Sequence, residues 1–182
     1  MRQTLSIIII CLFSSLLLGC KKAQLRLQLK DLMNNTVILP ERINCVYEGE
    51  IYSMPESLYN KPKLVVYIDS TECTTCRISH LWEYLQINEL SEQSGKFTTM
   101  ILLSNKSFGP ISLERYLSDQ ELPIPVYIDL DNLFLARNNF LKEREEFHSV
   151  FIGVDGRPLF IGDPTLSGEM LSAFKYFLDK QP

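Results

Sequence analysis

The chain alternates short apolar runs with amphipathic stretches, a pattern typical of an α/β protein. The run Leu64–Ile68 is continuously apolar and rich in β-branched residues, which predicts a strand buried on both faces. Further strands are predicted at 97–103 and 126–128, and helices at 111–117 and 133–137. Because strands and helices alternate, the chain is expected to form one layered α/β domain.

The last third of the chain predicts a hairpin followed by a helix. Two apolar runs, 149–154 and 159–161, flank Asp155-Gly156, a dipeptide typical of tight hairpin turns. Asp163-Pro164 then provides an N-cap and a first-turn proline for a helix from Pro164 to about Leu178. The apolar face expected for that helix contains Leu166, Met170, Leu171, Phe174, Phe177 and Leu178.

The segment before the first buried strand contains weaker patterns. Over 21–35, Leu25, Leu29 and Leu32 have helical spacing, whereas the alternation of Leu25, Leu27 and Leu29 would suit a strand, so both interpretations stay open. Three short extended pieces follow, at 37–40, 45–47 and 51–52. Since Gly49 separates the last two, we expect a hairpin or edge strands there.

The first twenty residues form a segment separate from this domain. Arg2 precedes an apolar stretch from Leu5 to Leu18, which is shorter than the roughly 20 residues that a membrane-spanning helix needs. The ending Leu17-Leu18-Gly19-Cys20 resembles the lipobox of bacterial lipoproteins, which implies cleavage before Cys20 and a lipid on that cysteine. We therefore expect a signal peptide over 1–19, a tether over 20–35 and a domain over 36–182. Several acyl chains on Cys20 would anchor the protein durably to a membrane.

Composition narrows the possible partners. The 182 residues carry a formal net charge of -4, and the isoelectric point is about 5.3. Without an excess of positive charge to neutralise phosphates, nucleic acid is not an expected partner. The sequence contains no glycine-rich phosphate loop, and no cofactor is expected.

The five cysteines point to redox chemistry. Cys11 belongs to the signal segment, and export would place Cys45, Cys73 and Cys76 outside the cytoplasm. The sequence Cys73-Thr74-Thr75-Cys76 follows the buried strand and opens a predicted helix, whose expected apolar face is Ile78, Leu81, Trp82 and Leu85. At a helix N-terminus the free backbone N–H groups and the helix dipole favour thiolate over thiol, so Cys73 is the expected nucleophile.

This arrangement resembles the thioredoxin fold, in particular the redoxin branch of lipid-anchored thiol-disulfide oxidoreductases of Gram-negative bacteria. The resemblance covers about residues 60–180. It implies a three-layer α/β/α sandwich with a central mixed sheet and a C-terminal β-hairpin plus helix. It also implies disulfide exchange at Cys73 and Cys76 with protein or small-thiol partners, at a membrane and facing the periplasm or the outer-membrane surface.

The sequence departs from the pattern of that family in two regions, around the cysteine pair and at the expected cis-proline. Glu72 and Thr74-Thr75 stand where thioredoxins usually carry Trp and a pair such as Gly-Pro, and a carboxylate beside Cys73 opposes thiolate formation. Thioredoxins carry a cis-proline just before the first strand of the hairpin, and here the corresponding residue is His148 or Phe147, two alternatives that differ by one residue in the alignment to that family. An imidazole there would be available as a proton acceptor for Cys73 or as a metal ligand.

Alternatives to redox catalysis follow from the same side chains. Cys73, Cys76 and His148 form a possible ligand set for copper or zinc, which would make the protein a metal-handling module. His80 lies seven residues after Cys73, about 10 Å along a helix, and is more simply a residue of the helix surface. The missing proline also suits an interaction protein that keeps the fold without efficient redox turnover.

Asp69 and Cys45 each have two possible roles. Asp69, four residues before Cys73, is a candidate proton relay, but a loop-starting Asp more often serves as a cap or turn residue. Cys45 is either a small buried apolar residue, which we favour, or a third redox thiol.

Overall fold

The computed structural model describes residues 24–69, 78, 80–105, 112–142 and 145–181. The chain divides into two compact units, Met1–Asn35 and Thr36–Pro182. In the first unit, residues 24–33 form helix α1, so the helical spacing of the leucines prevails over the strand-like alternation. Over the described residues, none of the helices has the length and apolarity to cross a membrane. The predicted signal peptide and Cys20 lie outside the described residues.

The second unit is built on a seven-stranded mixed sheet with the order β2-β1-β5-β4-β3-β6-β7. The inner strands β3, β4 and β5 are parallel, whereas β1 and β6 pair antiparallel with β5 and β3 respectively. Hairpins add β2 and β7 at the two edges. The strands are β1 (Ile43–Tyr47), β2 (Glu50–Ser53), β3 (Lys63–Ile68), β4 (Thr98–Ser104), β5 (Val126–Asp129), β6 (Ser149–Ile152) and β7 (Pro158–Ile161).

Helices cover both faces of this sheet. Leu64 and Val66 of β3 belong to a core cluster that also contains residues of the helices before β4, before β5 and at the C-terminus. The opposite face carries Tyr67, whose ring stacks on Phe134 of α5 at 4.6 Å between centroids. The helices of this unit are α2 (Glu56–Tyr59), α3 (Leu85–Ser94), α4 (Leu113–Ser118), α5 (Phe134–Arg137) and α6 (Gly168–Asp179), with 3-10 turns at Leu81–Tyr84, Asn139–Leu141 and Glu145–Phe147.

The architecture is the thioredoxin-like α/β fold that the sequence predicted. The mixed sheet lies between helices, and β6, β7 and α6 form the expected C-terminal hairpin and helix. At the turn of this hairpin, the N–H of Val37 donates to the carbonyl of Gly156 at 2.9 Å. A Cβ on Gly156 would lie 2.6 Å from the carbonyl oxygen of Val37, so only glycine permits this close approach. The predicted hairpin around Gly49 is also confirmed, as β1 and β2.

The predicted apolar face after the Cys-x-x-Cys segment was partly wrong. Ile78 and Leu81 are buried, but Trp82 is 52% exposed, and Tyr84 is buried instead. The reason is that Leu81–Tyr84 form a 3-10 helix rather than a continuation of an α-helix. Side chains three residues apart align on a 3-10 helix, so Leu81 and Tyr84 face the core while Trp82 turns outward.

The start of the last helix was also predicted wrongly. Helix α6 begins at Gly168, and the side chain of Ser167 caps it by accepting the N–H of Met170 at 3.2 Å. Asp163 instead accepts the N–H of Thr165 at 2.8 Å and closes a turn. Leu166 therefore precedes the helix and is 77% exposed.

Candidate functional site

The candidate site lies at the carboxyl end of β3. This strand is buried along its whole length and ends at Ile68, and the half-buried Asp69 follows directly. Four residues later the sequence reaches Cys73. Glu72, Cys73 and Cys76 lie outside the described residues. The described part of the site consists of side chains at the end of β3 and beside it.

His148 is the residue that adjoins the end of β3. It immediately precedes β6, and its carbonyl accepts the N–H of Tyr67 at 2.9 Å. Its own N–H donates to the carbonyl of Glu145 at 3.0 Å, which closes a 3-10 turn. Phe147 is a buried residue of that turn. Of the two positions left open by the alignment, His148 therefore lines the space beside β3.

The imidazole of His148 is held in place by two contacts. Only 8% of the residue is exposed, and its ring packs edge-on against Tyr67 at 5.5 Å between centroids. Nε2 lies 3.1 Å from the carbonyl oxygen of Leu141. Because a carbonyl can only accept, Nε2 must carry a proton, which leaves Nδ1 as the one nitrogen available as a base or metal ligand.

A cavity of about 70 Å³ occupies the space between β3, β6 and the 3-10 turns. This volume is enough for one or two water molecules. Its lining residues are Val66, Tyr67, Ile68, Asp69, Tyr84, Glu145, His148 and Ser149. The candidate relays Asp69 and His148 thus line the same small cavity.

Four further cavity residues carry polar groups and were not among the predicted site residues: Tyr67, Tyr84, Glu145 and Ser149. Glu145 belongs to a charged run typical of exposed surface and is itself exposed, and its backbone carbonyl accepts the N–H of His148 in the 3-10 turn. The hydroxyl of Tyr84 donates to Asp163, which ties the turn before α6 to the edge of the cavity. Burial raises the pKa of Tyr67 to about 12, so this phenol stays protonated in neutral solution.

A buried polar group also lies at the end of the neighbouring strand β5. Asp129 is fully buried, and its Oδ2 accepts the N–H of Phe134 at 2.7 Å, which fixes the start of α5. Its Oδ1 has no hydrogen-bond partner among the described residues. Asp129 therefore holds Phe134 against Tyr67 and supports the strand that leads to the cysteines.

Two other candidate side chains, Cys45 and His80, do not line this cavity. Cys45 is a buried free thiol of β1 opposite Tyr127, and burial raises its pKa to about 11, which suits a small core residue rather than a reactive thiolate. His80 is exposed, and its Nδ1 lies 2.8 Å from Oε1 of Glu83. Among the described residues there is no group of three or more side chains placed to bind a metal ion.

Comparisons with known proteins gave structural likeness only. No family model matches the chain, and neither does any curated protein sequence. A candidate thioredoxin from Neisseria meningitidis is 19% identical, with a TM-score of 0.48 over 82% of this chain and 91% of that chain. A secreted disulfide oxidoreductase of Mycobacterium tuberculosis is 16% identical, with a TM-score of 0.42 over 75% of this chain and 94% of that chain. The exposed lipoprotein thioredoxin of Streptococcus pneumoniae is 14% identical, with a TM-score of 0.43 over 75% of this chain and 97% of that chain. None of these likenesses identifies what this chain acts on.

Proposed function

We propose that this protein is a thiol-disulfide oxidoreductase that acts through Cys73 and Cys76. The observation that carries the proposal is the position of the Cys-x-x-Cys sequence, which begins five residues beyond the end of the fully buried strand β3. The start of β6 lies beside that end, since His148 bonds to Tyr67. A thiol pair that follows such a strand would meet its partner at the carboxyl edge of the parallel strands, where ligands of α/β sheets commonly bind.

The exchange proceeds in two thiolate attacks. The Cys73 thiolate attacks a disulfide of the partner, forms a mixed disulfide and releases one partner thiolate. The Cys76 thiolate then attacks the Cys73 sulfur, closes the Cys73–Cys76 disulfide and releases the second partner thiol. Two electrons pass from the dithiol to the partner, and the reverse sequence oxidises a partner dithiol. Glu72 would raise the pKa of Cys73 and so favour a more reducing couple.

We further propose that Cys20 carries the lipid that anchors the protein, facing the periplasm or the outer-membrane surface. The Leu-Leu-Gly-Cys ending of the apolar segment supports this location. Replacing Cys20 by Ser should prevent lipidation, so no chain of this variant should carry the added mass of a lipid. Mass spectrometry of the purified protein measures that difference, and an unchanged mass of the mature wild-type chain after delipidation would contradict the anchor.

Trapping tests the redox role. In the full-length Cys76→Ser variant the second attack is blocked, so a mixed disulfide on Cys73 should accumulate in acid-quenched cells. Cys73→Ser is the matched control and should trap nothing at that position, and Cys45→Ser should leave trapping unchanged because Cys45 is buried. Adducts that form equally well without Cys73 would contradict the proposal.

An interaction protein without redox turnover is the second candidate, favoured by His148 at the position where the family carries proline. A measured equilibrium with glutathione separates the two, because an active pair shows a defined reduction potential. A metal-handling module has less support. Its one described ligand, His148, already uses Nε2 as a donor to Leu141, so only Nδ1 would remain for a metal.

A further inference from the structure

Lys63 is a buried cation that the proposed redox chemistry does not use. It is the first residue of β3 and is only 2% exposed. Its Nζ donates to two backbone carbonyls after α2, that of Tyr59 at 3.2 Å and that of Lys61 at 2.6 Å. An ammonium group has three N–H donors, so one of them has no acceptor among the described residues.

The charge of this ammonium group is not neutralised by an acidic side chain. Among the described residues, no carboxylate lies within ion-pair distance of Lys63. Burial lowers its pKa to about 8, so it is still mostly charged in neutral solution. A buried charge compensated only by two carbonyl dipoles gains free energy from an anion that enters its surroundings.

Such an anion has room to enter. A cavity of about 250 Å³ is lined by Lys63 and Tyr59 together with Val37, Ile152 and Val154. Val154 is 62% exposed, so the cavity opens to solvent on that side. Pockets for drug-sized ligands measure roughly 300–1,000 Å³, so this cavity suits a smaller molecule.

The hydrogen-bond donors around the cavity determine which class of anion it can bind. The N–H of Val37 already donates to Gly156, and the N–H of Ile38 donates to Asn138 at 2.8 Å. Asp155 also lines the cavity, and its carboxylate is paired with Arg157 at 3.3 Å. A phosphate or sulfate is best held by several charged donors, whereas Lys63 is the one cation among the ten lining residues, and five of these residues are aliphatic.

We propose that this cavity binds a small aliphatic monocarboxylate, with the carboxylate on Nζ of Lys63 and the hydrocarbon chain against Val37, Ile152 and Val154. Lys63 is at the start of β3, whereas the candidate redox site follows its end, and the proposal does not depend on the proposed redox function. A carboxylate supplies the missing acceptor and the missing negative charge together. The aliphatic walls gain by burying methylene groups, each of which contributes about 0.8 kcal/mol.

Saturation-transfer NMR on the purified full-length chain tests the site with hexanoate and its neutral counterpart hexanamide. We expect hexanoate to bind with a dissociation constant of a few mM or tighter, and hexanamide about tenfold more weakly, the difference that one charged hydrogen bond supplies. Inorganic phosphate at the same concentration should not compete. Absence of hexanoate binding at about 20 mM, or equal binding of the amide, would overturn the proposal.

Two variants locate the site within the fold. Lys63→Met keeps the length of the side chain without the charge and should weaken hexanoate binding about tenfold or more. If that variant does not fold, Val154→Glu tests the same site from the exposed rim, where a new carboxylate should repel hexanoate or occupy Lys63. Leu166→Glu is the matched control, since Leu166 is 77% exposed and does not line the cavity. Equal loss of binding in Val154→Glu and Leu166→Glu would refute the location.

Discussion

Replacing His148 by Pro is predicted from the structure to destabilise the protein. Proline has no N–H, so the bond to the carbonyl of Glu145 is lost. It also has no ring donor, so the buried carbonyl of Leu141 loses its bond to Nε2. The edge contact with Tyr67 disappears with the imidazole. Three separate contacts of one residue are thus removed together.

The size of the effect follows from these contacts. Each hydrogen bond contributes about 0.5–1.5 kcal/mol net, and a buried acceptor left without a donor costs about 1–3 kcal/mol. An edge-on aromatic contact adds about 0.5–1.5 kcal/mol. We expect the free energy of unfolding to fall by about 3 kcal/mol. His148→Gln keeps the backbone N–H and a side-chain donor, so its loss should be near 1 kcal/mol.

Urea denaturation followed by tryptophan fluorescence measures both values, since the chain contains one Trp. At slopes of about 1–3 kcal/mol per M, the Pro variant should unfold at a urea concentration lower by roughly 1–3 M. The rate of disulfide reduction, measured where the variant is still folded, should be preserved if His148 acts only as a structural contact. A Pro variant as stable as the wild type, or a Gln variant equally damaged, would refute the reasoning.

Three further predictions concern described residues away from the cysteine pair. The side-chain amide of Asn138 bonds to the N–H and carbonyl of Ile38 at 2.8 and 2.9 Å and to the carbonyl of Phe134 at 2.7 Å. Asn138→Ala should therefore lower the free energy of unfolding by about 2–4 kcal/mol in urea denaturation, and a loss under about 1 kcal/mol would contradict this. The folded pKa of Lys63 lies below its unfolded value, so the unfolded chain binds more protons than the folded chain between pH 8 and 10.5. The free energy of unfolding of the wild type should therefore rise with pH across this window relative to that of Lys63→Met, and parallel curves for the two proteins would argue against it. Cys45 should resist maleimide in the native protein and react in urea, as peptide mapping by mass spectrometry would show; rapid native labelling would contradict its burial.

Local patterns in the sequence were enough to predict the order of strands and helices, whereas the mixed sheet between two helical layers was implied by the resemblance to thioredoxins. The continuous apolar run of β3 indicates burial on both faces, and all six residues of the strand are buried. The Asp155-Gly156 turn predicts the β6–β7 hairpin because its backbone conformation depends on residues at the turn itself. The errors arose where two local signals compete. Both Asp163 and Ser167 are possible N-caps, and Asp163 is taken by Thr165 and Tyr84 instead.

The sequence by itself determined the α/β order, the buried strand before Cys73 and the Cys-x-x-Cys spacing, because each depends on residues close together in the chain. Only the tertiary structure decided that His148 rather than Phe147 adjoins β3, since that depends on the pairing of two strands about eighty residues apart. It also decided that Nε2 of His148 is bonded to Leu141 and that Lys63 is buried with no carboxylate of the described residues within ion-pair distance. Hydrogen-bond partners and burial depend on which distant segments pack together, and hydrophobic periodicity along the chain does not indicate which segments these are.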